Sequence, residues 1–282
     1  MTEFFDALGR NPFLQYALVA GLLASVACGI VGTYVVVRRI TFIAGGIAHT
    51  VLGGIGGALY LQKVHHLEWC HPMYGAVVVA LLAAMIIGLV SLRAKQREDT
   101  VIGALWAIGM AAGVLFIALT PGYSVDLMSY LFGNILMVTP NDLWLMVALD
   151  ALVVLIGLAF YNPLLAVCFD EEFSRIRGVR VPFYYLLLLG ITALTVVLLS
   201  MVVGIVMVIA LLTLPVAIAG YFSRRLWHTM ALATVLSILF TASGLAISYS
   251  PNLPSGATII LLAGAAYLLV TIGSWVVRLR KG

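Results

Sequence analysis

MYGAVVVALLAAMIIGLVSL, residues 73–92, is a run of twenty residues without a charged side chain. A helix of about 20 apolar residues is long enough to cross the roughly 30 Å hydrocarbon core of a bilayer. Stretches of similar length recur along the whole chain, separated by short polar breaks. Because these stretches are uniformly apolar rather than alternating apolar and polar, they favour a bundle of membrane-spanning helices over a β-barrel.

The composition agrees with a chain that lies mostly in lipid. Of the 282 residues, 63% are hydrophobic and 9% are charged, whereas about 25% of residues are charged in an ordinary soluble domain. The polar breaks are too short to hold a soluble domain. We therefore predict an all-α polytopic membrane protein with one transmembrane domain over residues 1–282.

Basic residues mark the topology. The 15 Lys and Arg residues lie in short loops rather than on one basic face, so the formal net charge of +4 does not indicate nucleic-acid binding. Such loops are typical of the cytoplasmic side, and two crossings fit between successive clusters, which places the N-terminus outside. The clusters are Arg38 and Arg39; Arg93, Lys95 and Arg97; Arg175, Arg177 and Arg180; Arg224 and Arg225; and Arg278, Arg280 and Lys281.

About nine crossings are predicted. Pro215 leaves eight or ten open, because a proline removes a backbone donor and can kink or divide a helix. Segment 121–141, PGYSVDLMSYLFGNILMVTPN, is interrupted by polar residues, Pro and Gly, and is predicted to lie in the outer interface or to re-enter the membrane. The predicted spans are 13–37, 42–62, 73–92, 101–120, 142–161, 183–201, 203–222, 227–248 and 256–277.

Three stretches carry a resemblance to a known family: GTYVVVRRITFIAGGIAHTVLGG (32–54), VDLMSYLFGNILMVTPNDL (125–143) and NLPSGATIILL (252–262). Weaker matches are EDTVIGALWA (98–107), FDEEFSRIRGV (169–179) and VGIVMVIALLTLPVAIA (203–219). In this order they resemble the permease family of bacterial and archaeal ABC transporters for zinc, manganese and iron. The resemblance covers most of the chain.

The resemblance implies a multi-pass permease of the cytoplasmic (inner) membrane that imports a divalent transition metal. It also implies a homodimer of permeases, cytoplasmic ATP-binding subunits and an extracytoplasmic metal-binding protein. The metal would be a transported substrate, not a permanently bound cofactor. The sequence has no GxxxxGK[ST] phosphate loop and only three lysines, so ATP binding and hydrolysis are expected on the partner, and the chain is not expected to be an enzyme.

The most charged stretch is residues 169–181. Three acidic residues precede its basic residues, an order that suits a short helix and its dipole. A solvated loop that only sets topology is the simpler interpretation, whereas the resemblance favours a coupling helix that docks on the ATPase. The residues assigned to coupling are Asp170, Glu171, Glu172, Arg175, Arg177 and Gly178.

His49 is the main candidate metal ligand. It follows Arg39 by ten residues, which places it about 15 Å into the membrane at 1.5 Å per residue. By itself such a histidine is either a packed, hydrogen-bonded residue or a ligand; the resemblance implies a ligand. The family commonly has an Asp four residues earlier, where this chain has Gly45. An imidazole-dominated site without that carboxylate favours zinc over manganese.

Asp150 is the one acidic residue well inside a predicted span. A buried carboxylate is costly unless it is protonated, paired or bound to a metal. Two interpretations stay open: an Asp near the outer interface that is hydrogen-bonded to backbone, and a substitute for the carboxylate that residue 45 lacks.

The predicted outer loop KVHHLEWCHP contains His65, His66, Cys70 and His71. These are zinc-type ligands, but their spacing matches no defined structural zinc pattern. Transient metal capture is one interpretation, and a polar loop or a contact with the binding protein is the other.

Three other functions compete with that of a metal permease. An ATP-driven permease for a chelate such as a siderophore, haem or cobalamin is compatible with the same fold. An ion-gradient-driven secondary transporter would normally show several intramembrane carboxylates or inverted repeats. An intramembrane metalloprotease is disfavoured because HExxH is absent.

Overall fold

The computed structural model describes residues 8–9, 11–93, 98–121, 138–249, 251 and 253–279. Eleven helices occupy nearly all of these residues. They are α1 Pro12–Arg38, α2 Thr41–Val64, α3 Pro72–Arg93, α4 Glu98–Leu119, α5 Pro140–Ala159, α6 Tyr161–Phe169, α7 Glu171–Ile176, α8 Val181–Val203, α9 Ile205–Phe222, α10 Leu226–Tyr249 and α11 Ser255–Leu279.

Nine helices of the described part are long and apolar enough to cross a membrane: α1 to α5 and α8 to α11. The all-α class and the count of about nine crossings are therefore confirmed, and every predicted end lies within three residues of the observed one. The predicted interfacial or re-entrant segment 121–141 falls mostly on residues 122–137, which lie outside the described residues.

Pro215 does not divide its span. It is buried inside α9, which continues from Ile205 to Phe222. The break in the chain comes earlier, at Gly204, where φ is 80° and ψ is 160°. Residues with a side chain rarely adopt this backbone conformation. A single glycine therefore joins α8 to α9.

The helices pack in two groups around α8. In the first group, α2 lies between α3 and α4; in the second, α1 packs against α9 and α10, and α11 covers α9 and α10. Although α1 and α2 are joined by only two residues, Arg39 and Ile40, they diverge and make little contact. Arg39 turns the chain with a left-handed φ of 63°. The position of α2 is thus fixed by α3 and α4 rather than by its neighbour in sequence.

Glycines set the spacing between α2 and α4. A Cβ at Gly53 would lie 2.9 Å from the carbonyl oxygen of Gly109, and one at Gly56 would lie 2.6 Å from that of Gly113. The two backbones are therefore in direct contact. Small residues at such spacings allow this approach in membrane bundles.

Helix α6 was not predicted. Its nine residues are too few to cross a bilayer, so the hydropathy pattern that found the spans passes over it. It packs on α1 and α8 and buries Leu164, Val167 and Cys168. This helix separates the end of α5 from the charged stretch that forms α7.

Candidate functional site

His49 lies in the interior of α2 and is 9% exposed. Its Nδ1 is 2.9 Å from the carbonyl oxygen of Gly45, one turn earlier on the same helix. A carbonyl oxygen only accepts, so Nδ1 carries the hydrogen and donates it. The lone pair of a neutral imidazole is then on Nε2, which is the nitrogen available to a cation.

Trp106 of α4 covers one face of the His49 ring. The two ring centroids are 4.0 Å apart and the planes differ by 21°, which is a stacked arrangement. No sequence pattern predicts this pair, because the two residues lie on different helices and their contact depends on how α2 packs against α4. Trp106 lies in the stretch 98–107, one of the weaker family matches, and the resemblance implied no role for it.

A side chain at residue 45 would enter the space beside this pair. A Cβ built on Gly45 lies 3.0 Å from Cδ1 of Ile209 and 4.0 Å from Cζ3 of Trp106. The nearest atom is the end of a flexible side chain rather than backbone. Gly45 therefore leaves the site without a carboxylate. Close packing of backbones does not require a glycine at this position.

A metal ion at His49 would need ligands besides the imidazole. In the part of the chain that the structure describes, no three His, Cys, Asp or Glu side chains are grouped so as to hold a metal ion. A cation at Nε2 would therefore need water, a carbonyl or a second chain to complete its coordination.

Asp150 lies near the middle of α5 rather than at its end, and it is 6% exposed. Its neighbours are Cys28 and the backbone of Ala27, both on α1. Its Oδ1 has no hydrogen-bond partner among the described residues. Since α5 packs on α1 and α8, whereas His49 stacks on α4, the structure does not bring Asp150 to His49. Asp150 thus lies well inside its span beside the backbone of α1, and its use as a substitute for the carboxylate that residue 45 lacks stays a prediction.

The loop between α2 and α3 directs its histidines to separate places. The ring of His65 makes an edge contact with Tyr60, with centroids 5.8 Å apart. The ring of His71 makes an edge contact with Tyr74 at 6.1 Å. His66 has a left-handed φ of 53°. His65, His66, Cys70 and His71 therefore form no preorganised site, and metal capture by this loop stays a prediction.

The charged stretch forms α7, a helix of six residues. Asp170 caps it by accepting a hydrogen bond from the amide of Phe173 at 2.9 Å. Glu171 forms an ion pair with Arg38 at the end of α1. The guanidinium of Arg177 lies 4.9 Å from the centroid of the Phe173 ring. The short helix was predicted from the order of its charges, but its ion pair with α1 was not.

Apolar side chains stand exposed around α7. Phe169 is 69% exposed and Ile176 is 85% exposed. After α7, Gly178 turns the chain with φ 78°. Beside it is an open cavity of about 410 Å³ that is lined in part by Arg180 and Phe183. Glu172, Arg175 and Gly178 lie on this same surface of helix and loop.

Known proteins resemble the chain over almost its full length. A probable metal transport system membrane protein of Chlamydia pneumoniae is 44% identical over 93% of this chain and 90% of its own. The manganese transport system membrane protein MntC of Halalkalibacterium halodurans is 33% identical over 95% and 90%. The solved structure of PsaBC from Streptococcus pneumoniae in complex with Fab matches with a TM-score of 0.84 and 31% identity, covering 95% of this chain and 94% of that one.

The family comparison agrees with these relatives. A sequence model of the ABC 3 transport family matches residues 10–274. These matches agree with the nine candidate spans of the described residues, and the chain belongs to the ABC 3 transport family as a multi-pass membrane permease of a metal ABC transporter.

Proposed function

We propose that the chain is the permease of an ATP-driven importer whose preferred cargo is Zn²⁺, and that His49 is the ligand that contacts the ion during passage. The observation that carries the proposal is the buried imidazole, whose Nδ1 is bonded to Gly45 and whose Nε2 has no hydrogen-bond partner among the described residues. Imidazole nitrogen is a preferred zinc ligand, whereas Mn²⁺ prefers carboxylate, carbonyl and water oxygens. The absence of a carboxylate at residue 45 therefore favours zinc.

The energy source and the assembly are part of the proposal. Two copies of the chain form the membrane core, with His49 from each copy near a shared pathway. ATP-binding subunits dock on residues 169–181, where α7 presents exposed apolar side chains beside Arg175 and Arg177. A metal-binding protein delivers the ion on the outer side. Aromatic and arginine side chains are common anchors at protein interfaces, which supports this docking surface.

Manganese is the second candidate cargo. The relatives named as manganese transport proteins, MntC among them, are 30–33% identical to this chain. The names of these relatives favour manganese, whereas the missing carboxylate at residue 45 favours zinc. Measurements of metal uptake decide between the two metals.

The test is uptake of zinc, manganese and iron by vesicles that contain the chain with its ATPase and binding protein. Wild type should take up zinc in preference to manganese. His49→Ala should abolish most zinc transport, because removal of the imidazole leaves no side-chain ligand at this position. His228→Ala is the matched control, since His228 is exposed at the start of α10. Normal zinc transport by His49→Ala at matched membrane expression would contradict the site.

A further inference from the structure

Two contacts fix the orientation of the His49 ring. The hydrogen bond to the carbonyl oxygen of Gly45 selects which edge of the ring faces the helix backbone. The stacked Trp106 ring restricts rotation about χ2, because a turned imidazole would lose the parallel contact at 4.0 Å. Together they hold Nε2 in one direction.

Trp106 is itself held in register with His49. The residue after His49 faces the residue before Trp106: the Thr50 hydroxyl donates to the carbonyl oxygen of Gly46 at 2.7 Å and also lies 3.1 Å from the carbonyl oxygen of Leu105. The indole nitrogen of Trp106 lies 3.2 Å from the sulfur of Met110, one turn along α4. The indole is therefore fixed to the same part of α2 that carries the imidazole.

The indole also determines what can surround the ion. It offers no lone pair to a metal, and it lies beside the space that a side chain at residue 45 would enter. With Ile209 on the other side of that space, the wall next to His49 is apolar and uncharged. An ion held there depends on imidazole nitrogen rather than on anionic oxygen, and this favours zinc over manganese.

We propose that Trp106 is a positioning residue that orients His49 for the ion and, by forming an uncharged wall, determines the preference for zinc. This inference rests on the proposed function of His49. Groups that orient a metal-binding histidine from behind typically contribute 10- to 100-fold to metal affinity. Trp106 would do so by stacking, in addition to the hydrogen bond that the Gly45 carbonyl oxygen accepts from Nδ1.

The experiment compares zinc and manganese uptake kinetics of Trp106→Ala and Trp106→Phe in vesicles with the complete complex. Trp106→Ala should raise KM for zinc about tenfold, leave Vmax within about twofold and change KM for manganese much less. Trp106→Phe keeps a stacking ring and should stay within about threefold of wild type. Trp275→Ala removes an exposed tryptophan from α11 and should change neither value.

Several outcomes overturn the inference. An unchanged KM for zinc in Trp106→Ala, or equal losses for zinc and manganese, would show that Trp106 does not orient the ligand. If zinc transport is lost in His49→Ala but unaffected in Trp106→Ala, only the role of Trp106 fails. Normal zinc transport by His49→Ala contradicts the proposed site and this inference together.

A binding measurement keeps the test decisive if Trp106→Ala does not reach the membrane. Co²⁺, which is a zinc surrogate, should quench tryptophan fluorescence of the purified wild-type complex when it binds beside Trp106. The quenched component should be missing in both Trp106→Phe and His49→Ala. Equal quenching in wild type and both variants would overturn the placement of the ion next to the indole.

Discussion

Gly45 stands one turn before His49, so a side chain at residue 45 shares the face of α2 that carries the imidazole. The nearest obstacle to a Cβ there is Cδ1 of Ile209 at 3.0 Å, which can move by a few tenths of an ångström. Gly53, by contrast, faces the backbone of Gly109. Residue 45 can therefore be changed without separating two helices.

We expect Gly45→Asp to shift the ratio of zinc to manganese uptake towards manganese by about tenfold, because the carboxylate adds an oxygen ligand beside Nε2. Uptake of both metals at matched membrane expression measures the shift. Gly45→Ala is the control, since its methyl group tests the steric effect alone. A similar ratio in the Ala and Asp variants would mean that the carboxylate does not reach the ion.

The His49 site shows where prediction from sequence ends at the scale of one residue. The depth of His49 followed from its ten-residue separation from Arg39 and the rise of a helix. The partner ring of Trp106 could not be predicted, because periodicity describes a helix by itself and not the rotation of one helix against another. The same limit applies to Asp150, because its position near Cys28 of α1 depends on how α5 packs against α1.

At the scale of elements, α7 is the helix on which we propose that the ATP-binding subunit docks. Arg177 lies over the Phe173 ring and beside the exposed Ile176. Reversing this charge should disturb docking without affecting the spans, because the residue lies outside them.

We expect Arg177→Glu to lower metal transport and transport-stimulated ATP hydrolysis, with membrane insertion unchanged. ATPase activity of the reconstituted complex, with and without loaded binding protein, measures the effect. Arg224→Glu reverses an exposed charge in another basic cluster and serves as the control. Coupling that persists in Arg177→Glu would argue against docking through α7.

The ion pair between Arg38 and Glu171 joins α7 to the end of α1. Both side chains are roughly three-quarters buried, at 22% and 25% exposure, so solvent screens the pair only in part. Arg38 also lies 5.6 Å from the ring centroid of Tyr185 on α8. The contacts of Arg38 thus connect α7 to two membrane-spanning helices.

We expect Glu171→Arg to reduce the metal transported per ATP hydrolysed, and the exchange Arg38→Glu with Glu171→Arg to recover part of that loss. The recovery corresponds to a coupling energy on the order of 1 kcal/mol for a partly exposed pair. The ratio of uptake to ATP hydrolysis in the two single variants and the double variant measures it. If the loss in the uptake-to-hydrolysis ratio of the double variant equals the sum of the losses in the two single variants, the ion pair does not contribute to coupling.

At the scale of the whole molecule, the loop between α2 and α3 is the candidate place for metal capture before passage. His65 and His71 lie on different tyrosines, so capture would require the loop to rearrange around the ion. Such a weak site affects uptake only when the metal is scarce.

We expect replacement of His65, His66, Cys70 and His71 together by Ser to reduce uptake at low metal concentration and to leave Vmax unchanged. Uptake over a range of zinc concentrations distinguishes capture from docking or folding. Equal losses at all concentrations would exclude a gathering role for these side chains.

The architecture was predictable because the bilayer imposes it. Spans such as 73–92 had to be apolar, long and helical, so hydropathy and length located them to within three residues. The basic clusters indicated a consistent topology for the same reason. Helix α6 was not predicted because its nine residues are too few to cross a bilayer. The packing of α2 between α3 and α4 was not predictable either, because it depends on contacts between helices that the pattern of one helix does not encode.

The glycine contacts between α2 and α4 have a consequence for how such a permease changes over evolution. At Gly53, Gly56, Gly109 and Gly113 any mutation introduces a Cβ into the facing helix, so these positions tolerate almost no drift even though they touch no ion. Residue 45 differs from them, because a Cβ there meets the movable end of the Ile209 side chain rather than backbone. If Gly45→Asp shifts the metal preference as we expect, a lineage can change its cargo by one substitution beside His49 while the bundle that presents this residue stays the same.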